Sequence, residues 1–324
     1  MSDRYYWPYT LRSAGALNAK SQRREHQGFL IRIEDGVGCV HPWPELGDAP
    51  VESQLEAWRT GRQIPLLTSA LACAKLDGEA RRAGRSLLTG SDAPVQPRNH
   101  RLVLPEDDPD QCFEEGYRAG KWKIGREDPV QFSDRVRPWV ERGFRLRLDA
   151  NETFSVKEFL RWWDALDPSV RDAVDWVEDP VPISRWRAVR LRRAGVSVAV
   201  DRTVARHYRV ADVAVYKPAL DDSPFDAGLN TKLLGWAQSR RKQIVVTSYM
   251  DHPIGQLWAS YAAASLAALD SDCVDLCGLL TQHCFETCAF SEQLDASETR
   301  LVPPAGTGLG FDELLDSLSW KRLG

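Results

Sequence analysis

From residue 99 onward, short runs dense in β-branched and aromatic residues alternate with segments whose apolar positions recur at helical spacing. The runs are "HRLVL", "KWKI", "FRLRLDA", "VDWVE", "VSVAVD", "VAVYK", "QIVVTS" and "CVDLCGLL", each with the length and flanks of a strand. Between them, Ser155 and Glu158 form a capping-box pair at the head of "SVKEFLRWW", and Gly195 closes "WRAVRLRRAG". Strand–helix alternation over about 190 residues predicts a parallel sheet, and eight such units are the number that closes a barrel. A doubly wound open sheet is the competing architecture.

The first hundred residues follow another pattern. Strand-like "GFLIRIED" and "VGCVHPWP" stand beside helical "VESQLEAWRTG" and "LLTSALACAKLDGEARRAG", which predicts a compact α+β lobe. The polar, turn-rich "GSDAPVQPRNH" (90–100) reads as the linker out of it. In the tail, "LVPPAGTGLGFDELLDSL" carries glycines that resemble a dinucleotide loop, but only 14 residues follow Gly310. That leaves no room for the helix and returning strand of a βαβ unit. The expected division is therefore 1–98 as an α+β capping domain, 99–288 as the barrel, and 289–324 as a segment returning to the cap.

Composition narrows the function. With 324 residues and 43% hydrophobic content the chain has ample core, and 42 basic against 46 acidic side chains give a net charge of -4. No excess positive field exists for nucleic acid. The absence of an apolar run of ~20 residues argues against a membrane partner, and "MSDRYYWPYT" lacks the pattern of a signal peptide. A soluble, cytoplasmic protein acting on a small molecule is expected. Seven scattered cysteines are not a secreted framework. Cys273, Cys277, Cys284 and Cys288 crowd around His283, yet their spacing is not that of a zinc knuckle, so buried thiols are the better reading.

The candidate chemistry sits at the strand ends. Alternate strand residues share a face, so in "AGKWKIG" Lys121 and Lys123 point one way, against Trp122 and Ile124. In "FRLRLDAN" the polar face is Arg145, Arg147, Asp149 and Asn151. The next three runs end at Glu178, Asp201 and Lys217. A lone carboxylate at a strand end is usually a cap or loop contact, but ionisable groups on five successive strands converge on one mouth. Three carboxylates meeting without a counterion repel, and oxygen-only ligands favour Mg2+ over zinc. A lysine beside that cation, Lys121 and Arg147 has its charged form disfavoured, which suits Lys123 to proton transfer.

Taken together, K-x-K, "LRLDAN", "VEDP", "VAVD" and "VYKP", with the early "GCVHPWPELGD", the helix "SALACAKLD" and the tail "GTGLGFDEL", resemble the enolase superfamily in its muconate-lactonizing subgroup, and within it the o-succinylbenzoate synthases. The resemblance covers nearly the whole chain. It implies a modified TIM barrel, (β/α)7β, with the α+β capping domain built from both ends of the chain. It implies that Asp149, Glu178 and Asp201 bind Mg2+, that Lys123 takes and returns a proton, and that Lys217 stabilises an enediolate from across the substrate. The implied activity is a lyase of menaquinone biosynthesis that dehydrates a small-molecule carboxylate. The alternative is a racemase or epimerase of N-succinylamino acids or dipeptides.

Two features depart from that family's pattern. Arg202 follows Asp201 where many relatives have an acid, and "TSYMDHPIG" carries Asp251 and His252 where small polar residues are common. Ser248 and Gly255 fit a substrate-binding loop there, and His252 is a candidate for the succinyl carboxylate. "NAKSQRREHQG" (18–28) is a candidate basic lid, or a merely solvated loop.

Overall fold

In a computed structural model of the chain, residues 3–15, 17, 21–90, 93–201, 204–220 and 229–324 are described. The expected contrast between an α+β capping lobe and a parallel barrel is seen in the sheets. Strands β1 (Arg4–Arg12), β2 (Glu25–Ile33) and β3 (Gly36–Val40) form an antiparallel sheet. Helices α1 (Val51–Thr60) and α2 (Pro65–Arg82) follow in the same lobe. The backbone of α2 lies directly on β3: a Cβ at Gly36 would stand 1.8 Å from the Ala74 carbonyl oxygen, and one at Gly38 would stand 2.2 Å from that of Ala70. Only glycine permits that approach. The last four residues of the segment anticipated as a lid loop are strand, because β2 begins at Glu25. Residues 18–20 lie outside the described residues.

The barrel then alternates strand and helix. Its strands are β4 (Arg101–Leu102), β5 (Ala119–Lys123), β6 (Arg145–Asp149), β7 (Val174–Glu178), β8 (Val198–Val200), β9 (Val213–Tyr216) and β10 (Gln243–Val246), parallel and adjacent in chain order. The helices between and after them are α3 (Pro109–Glu114), α4 (Pro129–Glu141), α5 (Val156–Asp164), α6 (Pro168–Asp172), α7 (Arg185–Arg193), α8 (Val204–His207), α9 (Leu229–Arg240) and α10 (Pro253–Leu269). Side-chain caps from Asp108, Asp128, Ser155, Asp167 and Ser184 start five of them, and Ser155 with Glu158 makes the anticipated capping box. Such caps satisfy amide groups that the first helical turn leaves unpaired.

The eighth run, "CVDLCGLL", is not a regular strand but closes the ring. Parallel bridges join Ile244 to Val274, Thr247 to Gly278, and Asn99 to Cys277. His100 N donates to the Cys277 carbonyl at 2.9 Å, and Gly278 N to that of Val246 at 2.9 Å. Residues 274–278 therefore lie between β10 and the residues that lead into β4. Alternation sorts the two faces: Trp176, Ala199, Val213, Val215 and Val245 fill the interior, while Leu146, Leu148, Val177, Val198 and Val200 face the surrounding helices within the main core.

The tail contributes the hairpin β11 (Asp295–Ser297) and β12 (Arg300–Val302), then α11 (Asp312–Ser317) and β13 (Lys321–Arg322). Strand β13 pairs with β1, through Tyr5 with Arg322 and Tyr6 with Lys321, so the last residues complete the sheet begun by the first. Asp77 on α2 accepts from Leu309 N at 2.6 Å, and Arg81 donates to the Gly310 carbonyl at 2.9 Å. The tail glycines form a turn seated on the cap, not a nucleotide loop.

Candidate active site

Parallel pairing sets the depth of each inward side chain. Lys123 is level with Asp149, and Asp149 with Glu178; one step below, Lys121 is level with Arg147, and Arg147 with Trp176. The upper set, joined by Asp201 and Lys217 from the ends of β8 and β9, lines a cavity of about 120 Å³ at the C-terminal mouth. Lys121, Asn151 and Ser248 line it as well. Such a volume suits part of a small molecule rather than a polymer. The cap covers it with Leu17, Trp43 and Leu46. Trp43 is fixed there by its indole, which donates to the Tyr249 carbonyl at 2.9 Å.

The charges are tightly interleaved. Lys121 Nζ donates to both oxygens of Glu178 at 2.8 Å and lies 3.2 Å from Asp149. Lys217 pairs with Asp201, and Lys123 donates to the Leu17 carbonyl. Burial drives the Glu178 pKa above the ordinary carboxylate range, with Lys121 opposing and Asp149 and Asp201 adding to the rise. Burial also raises Asp179, whose carboxylate accepts from Asp201 N at 3.4 Å. For Lys121, burial is outweighed by Asp149, Glu178 and Asp201, and its pKa rises.

Lys123 behaves differently. Its pKa is lowered, by burial first, with Asp149 opposing and Lys121 adding to the fall. Its side chain keeps accessible surface because it faces the cavity. Leu17, Trp43 and Leu46 of the cap line the same cavity and limit the water that reaches this amine.

Among the described residues no ready-made cage of acidic, thiol or imidazole groups is present. Amines occupy the acids instead: Lys121 bridges Asp149 and Glu178, and Lys217 pairs with Asp201. The donor set nevertheless fits a hard divalent cation. Three carboxylates from adjacent strands face one cavity, and Glu178 is 2% exposed, so its negative charge needs compensation from within the site.

Several candidates lie elsewhere. Arg147 is wholly buried beneath the cavity, held by Asp175 at 3.1 Å, Asp275 at 2.5 Å and the Leu276 carbonyl at 2.6 Å, with its guanidinium over the Trp176 ring. Its charge is met by acids on both sides, Asp175 and Asp275. Asp251, His252 and Gly255 sit behind the wall. Met250 has φ 52°, which turns the chain away from the mouth. His252 then caps α10 by accepting from Ile254 N at 3.2 Å, and packs on Tyr9 and Phe290. Asp251 lies beside Gly255, with Oδ1 buried and unpartnered among the described residues. Burial sets the Asp251 pKa at about 7 and that of His252 at about 3. Arg202 lies outside the described residues. All seven cysteines are free thiols.

The cavity also includes residues that strand-end reasoning overlooked: His100, Thr247, Tyr249, Gly278 and Thr281. Ser248 and Thr281 share a hydrogen bond of 2.8 Å. The inward parity of His100 and Leu102 on the first strand was available from "HRLVL", but neither is an ionised group that draws attention.

Comparison with known proteins adds a lineage to this geometry. A family model described as "O-succinylbenzoate synthase, N-terminal domain" matches residues 4–80, and "Enolase C-terminal domain-like" matches 108–221. A Bdellovibrio bacteriovorus protein named o-succinylbenzoate synthase is 31% identical, over 98% of each chain. Among solved structures, the L-Ala-D/L-Glu epimerase from Bacillus subtilis aligns with TM-score 0.73 at 17% identity, covering 96% of this chain and 98% of its own. An enolase-superfamily member from Roseovarius nubinhibens, complexed with magnesium, aligns with TM-score 0.73 at 16% identity, covering 100% of this chain and 98% of its own.

Proposed function

This chain belongs to the enolase superfamily, in the family of the o-succinylbenzoate synthases, and from that premise we propose that it dehydrates 2-succinyl-6-hydroxy-2,4-cyclohexadiene-1-carboxylate to o-succinylbenzoate, a step of menaquinone biosynthesis. The observation that carries the reading is the convergence of Lys123, Asp149, Glu178, Asp201 and Lys217, from five consecutive strands, on one capped cavity.

Asp149, Glu178 and Asp201 would hold Mg2+. A cation there supplies positive charge to the substrate carboxylate and so acidifies the carbon beside it. The rest falls to the protein's own groups. Lys123, with its lowered pKa, is suited to be neutral and to remove the proton from C1. It first leaves the Leu17 carbonyl that it meets in this conformation. The electron pair left at C1 forms the new double bond as the C6–O bond breaks. The same amine, now protonated, returns its proton to the departing hydroxyl, which leaves as water; one base on one face makes the elimination syn. Lys217 lies across the ring of strands and opposes the negative charge built up on the substrate.

A second reading, 1,1-proton transfer on an N-succinylamino acid or dipeptide, is favoured by the two lysines on opposite sides of the acids, and a neighbour of the same fold is an epimerase. One assay separates them. With Mg2+ present, purified protein is offered the cyclohexadiene carboxylate and, separately, N-succinylamino acids and dipeptides. Aromatic product supports the dehydratase; racemisation without dehydration contradicts it.

A further inference from the structure

The cavity wall has two unlike halves. Every charged side chain on it comes from β5 to β9, whereas β10, residues 278–281 and the start of the first barrel strand contribute neutral groups: His100, Thr247, Ser248, Gly278 and Thr281. A substrate whose ring carboxylate is claimed by the charged half has its succinyl arm left to meet the neutral half. His100 lies at the floor of that half and is 3% exposed.

The tautomer of His100 is fixed by its neighbour. Arg147 Nη1 stands 2.9 Å from His100 Nδ1. A guanidinium can only donate, so Nδ1 must present a lone pair and the ring hydrogen must sit on Nε2. The rival tautomer would aim Nδ1–H at the Leu276 carbonyl, an acceptor that Arg147 Nη1 also reaches at 2.6 Å, but would set that hydrogen against the Nη1–H groups 2.9 Å away. Nε2 has no protein hydrogen bond among the described residues, and it borders Gly278: a Cβ there would stand 2.9 Å from Nε2 and 2.9 Å from Thr247 Cγ2. The glycine leaves that nitrogen open, and the Thr247 hydroxyl close by is buried without a partner among the described residues. Burial, with Arg147 and Lys121, keeps His100 well below the ordinary histidine pKa, so the ring stays neutral.

We infer that His100 is a specificity-determining hydrogen-bond donor, through Nε2–H, for an oxygen of the substrate's succinyl arm, and that Arg147 is the positioning residue that holds it in that tautomer. This rests on the dehydratase reading above. It assigns the arm to an uncharged donor rather than to an ion pair.

The test uses the full chain with Mg2+ and two probes, o-succinylbenzoate and benzoate, which lacks the arm. His100→Asn keeps an acceptor for Arg147 but loses the outer nitrogen; His100→Gln restores a donor near the Nε2 position. By calorimetry, His100→Asn should bind o-succinylbenzoate about tenfold more weakly, the loss of one buried hydrogen bond, with benzoate unchanged, and His100→Gln should recover most of the loss. Nitrogen-15 NMR of the wild-type protein should show Nδ1 unprotonated and Nε2 protonated, a readout independent of any variant's folding. A protonated Nδ1, or equal losses for both probes, overturns the inference alone. Wild-type protein that binds benzoate but not o-succinylbenzoate overturns both the inference and the functional reading.

Discussion

Lys121 donates to both carboxylate oxygens of Glu178 at 2.8 Å while lying 3.2 Å from Asp149. One amine thus partly neutralises two acids that the proposed chemistry assigns to a cation. Replacing it with Met should leave two buried carboxylates facing each other and cost about 3 kcal/mol of stability. The deficit should shrink when Mg2+ supplies the missing charge. Thermal unfolding of wild type and Lys121→Met, each in chelator and in Mg2+, measures it; a deficit that Mg2+ leaves unchanged contradicts a shared site.

Lys123 and Lys217 should be separable from the fold. Lys123→Ala and Lys217→Ala should each lower kcat by about 10²- to 10⁴-fold, with cooperative unfolding retained, close to wild type for Lys123→Ala and at reduced stability for Lys217→Ala, which leaves Asp201 without its amine. Because the Lys123 pKa is lowered, kcat/KM should rise with pH along an acid limb that lies below the ordinary lysine value. That limb should move upward in Lys121→Met, since Lys121 helps depress Lys123. A limb that stays in place would remove Lys121 from this role.

Asp251 provides a test of the region behind the wall. Its folded pKa is about 7, above the unfolded carboxylate value of 3.8. Between those values the native state holds the extra proton, so stability is lost as pH rises from about 4 through about 7. Asp251→Asn should therefore stabilise the protein at pH 8, with an upper bound of about 4 kcal/mol, and give no gain near pH 4. Denaturant unfolding at both pH values checks the sign; a variant that loses kcat but gains no stability would return Asp251 to the catalytic site.

Arg147 joins β6 and β7 to the closing segment through Asp175, Asp275 and Leu276. Arg147→Met should cost about 3–5 kcal/mol, as breaking a buried ion pair from one side does. Hydrogen exchange should show residues 274–278 losing protection first. Uniform loss of protection would contradict a local closing role.

Much of this was legible along the chain, for a physical reason. Strand parity is rigid, so Lys123, Asp149 and Glu178 each fall on the inward face once the strands are identified. Depth and closure were not legible. Parity put Arg147 inside the barrel correctly, yet only the register places it a layer below the mouth. The ending "TSYMDHPIG" looked like one loop, but the left-handed turn at Met250 sends Asp251 and His252 behind the wall while Ser248 stays on it. His100 gains its meaning from Cys277 and Arg147, far away in sequence and brought near only when residues 274–278 close the ring.

The central claim is that Asp149, Glu178 and Asp201 hold a single cation between the amines of Lys123 and Lys217, beside the substrate carboxylate. A crystal structure grown with Mg2+ and o-succinylbenzoate tests it most directly. The account expects one ion ligated by those three acids, with the ring carboxylate next to it and the two lysines on opposite faces of the ring. Density showing the product bound with no shared ion, the acids still paired to Lys121 and Lys217, would contradict it.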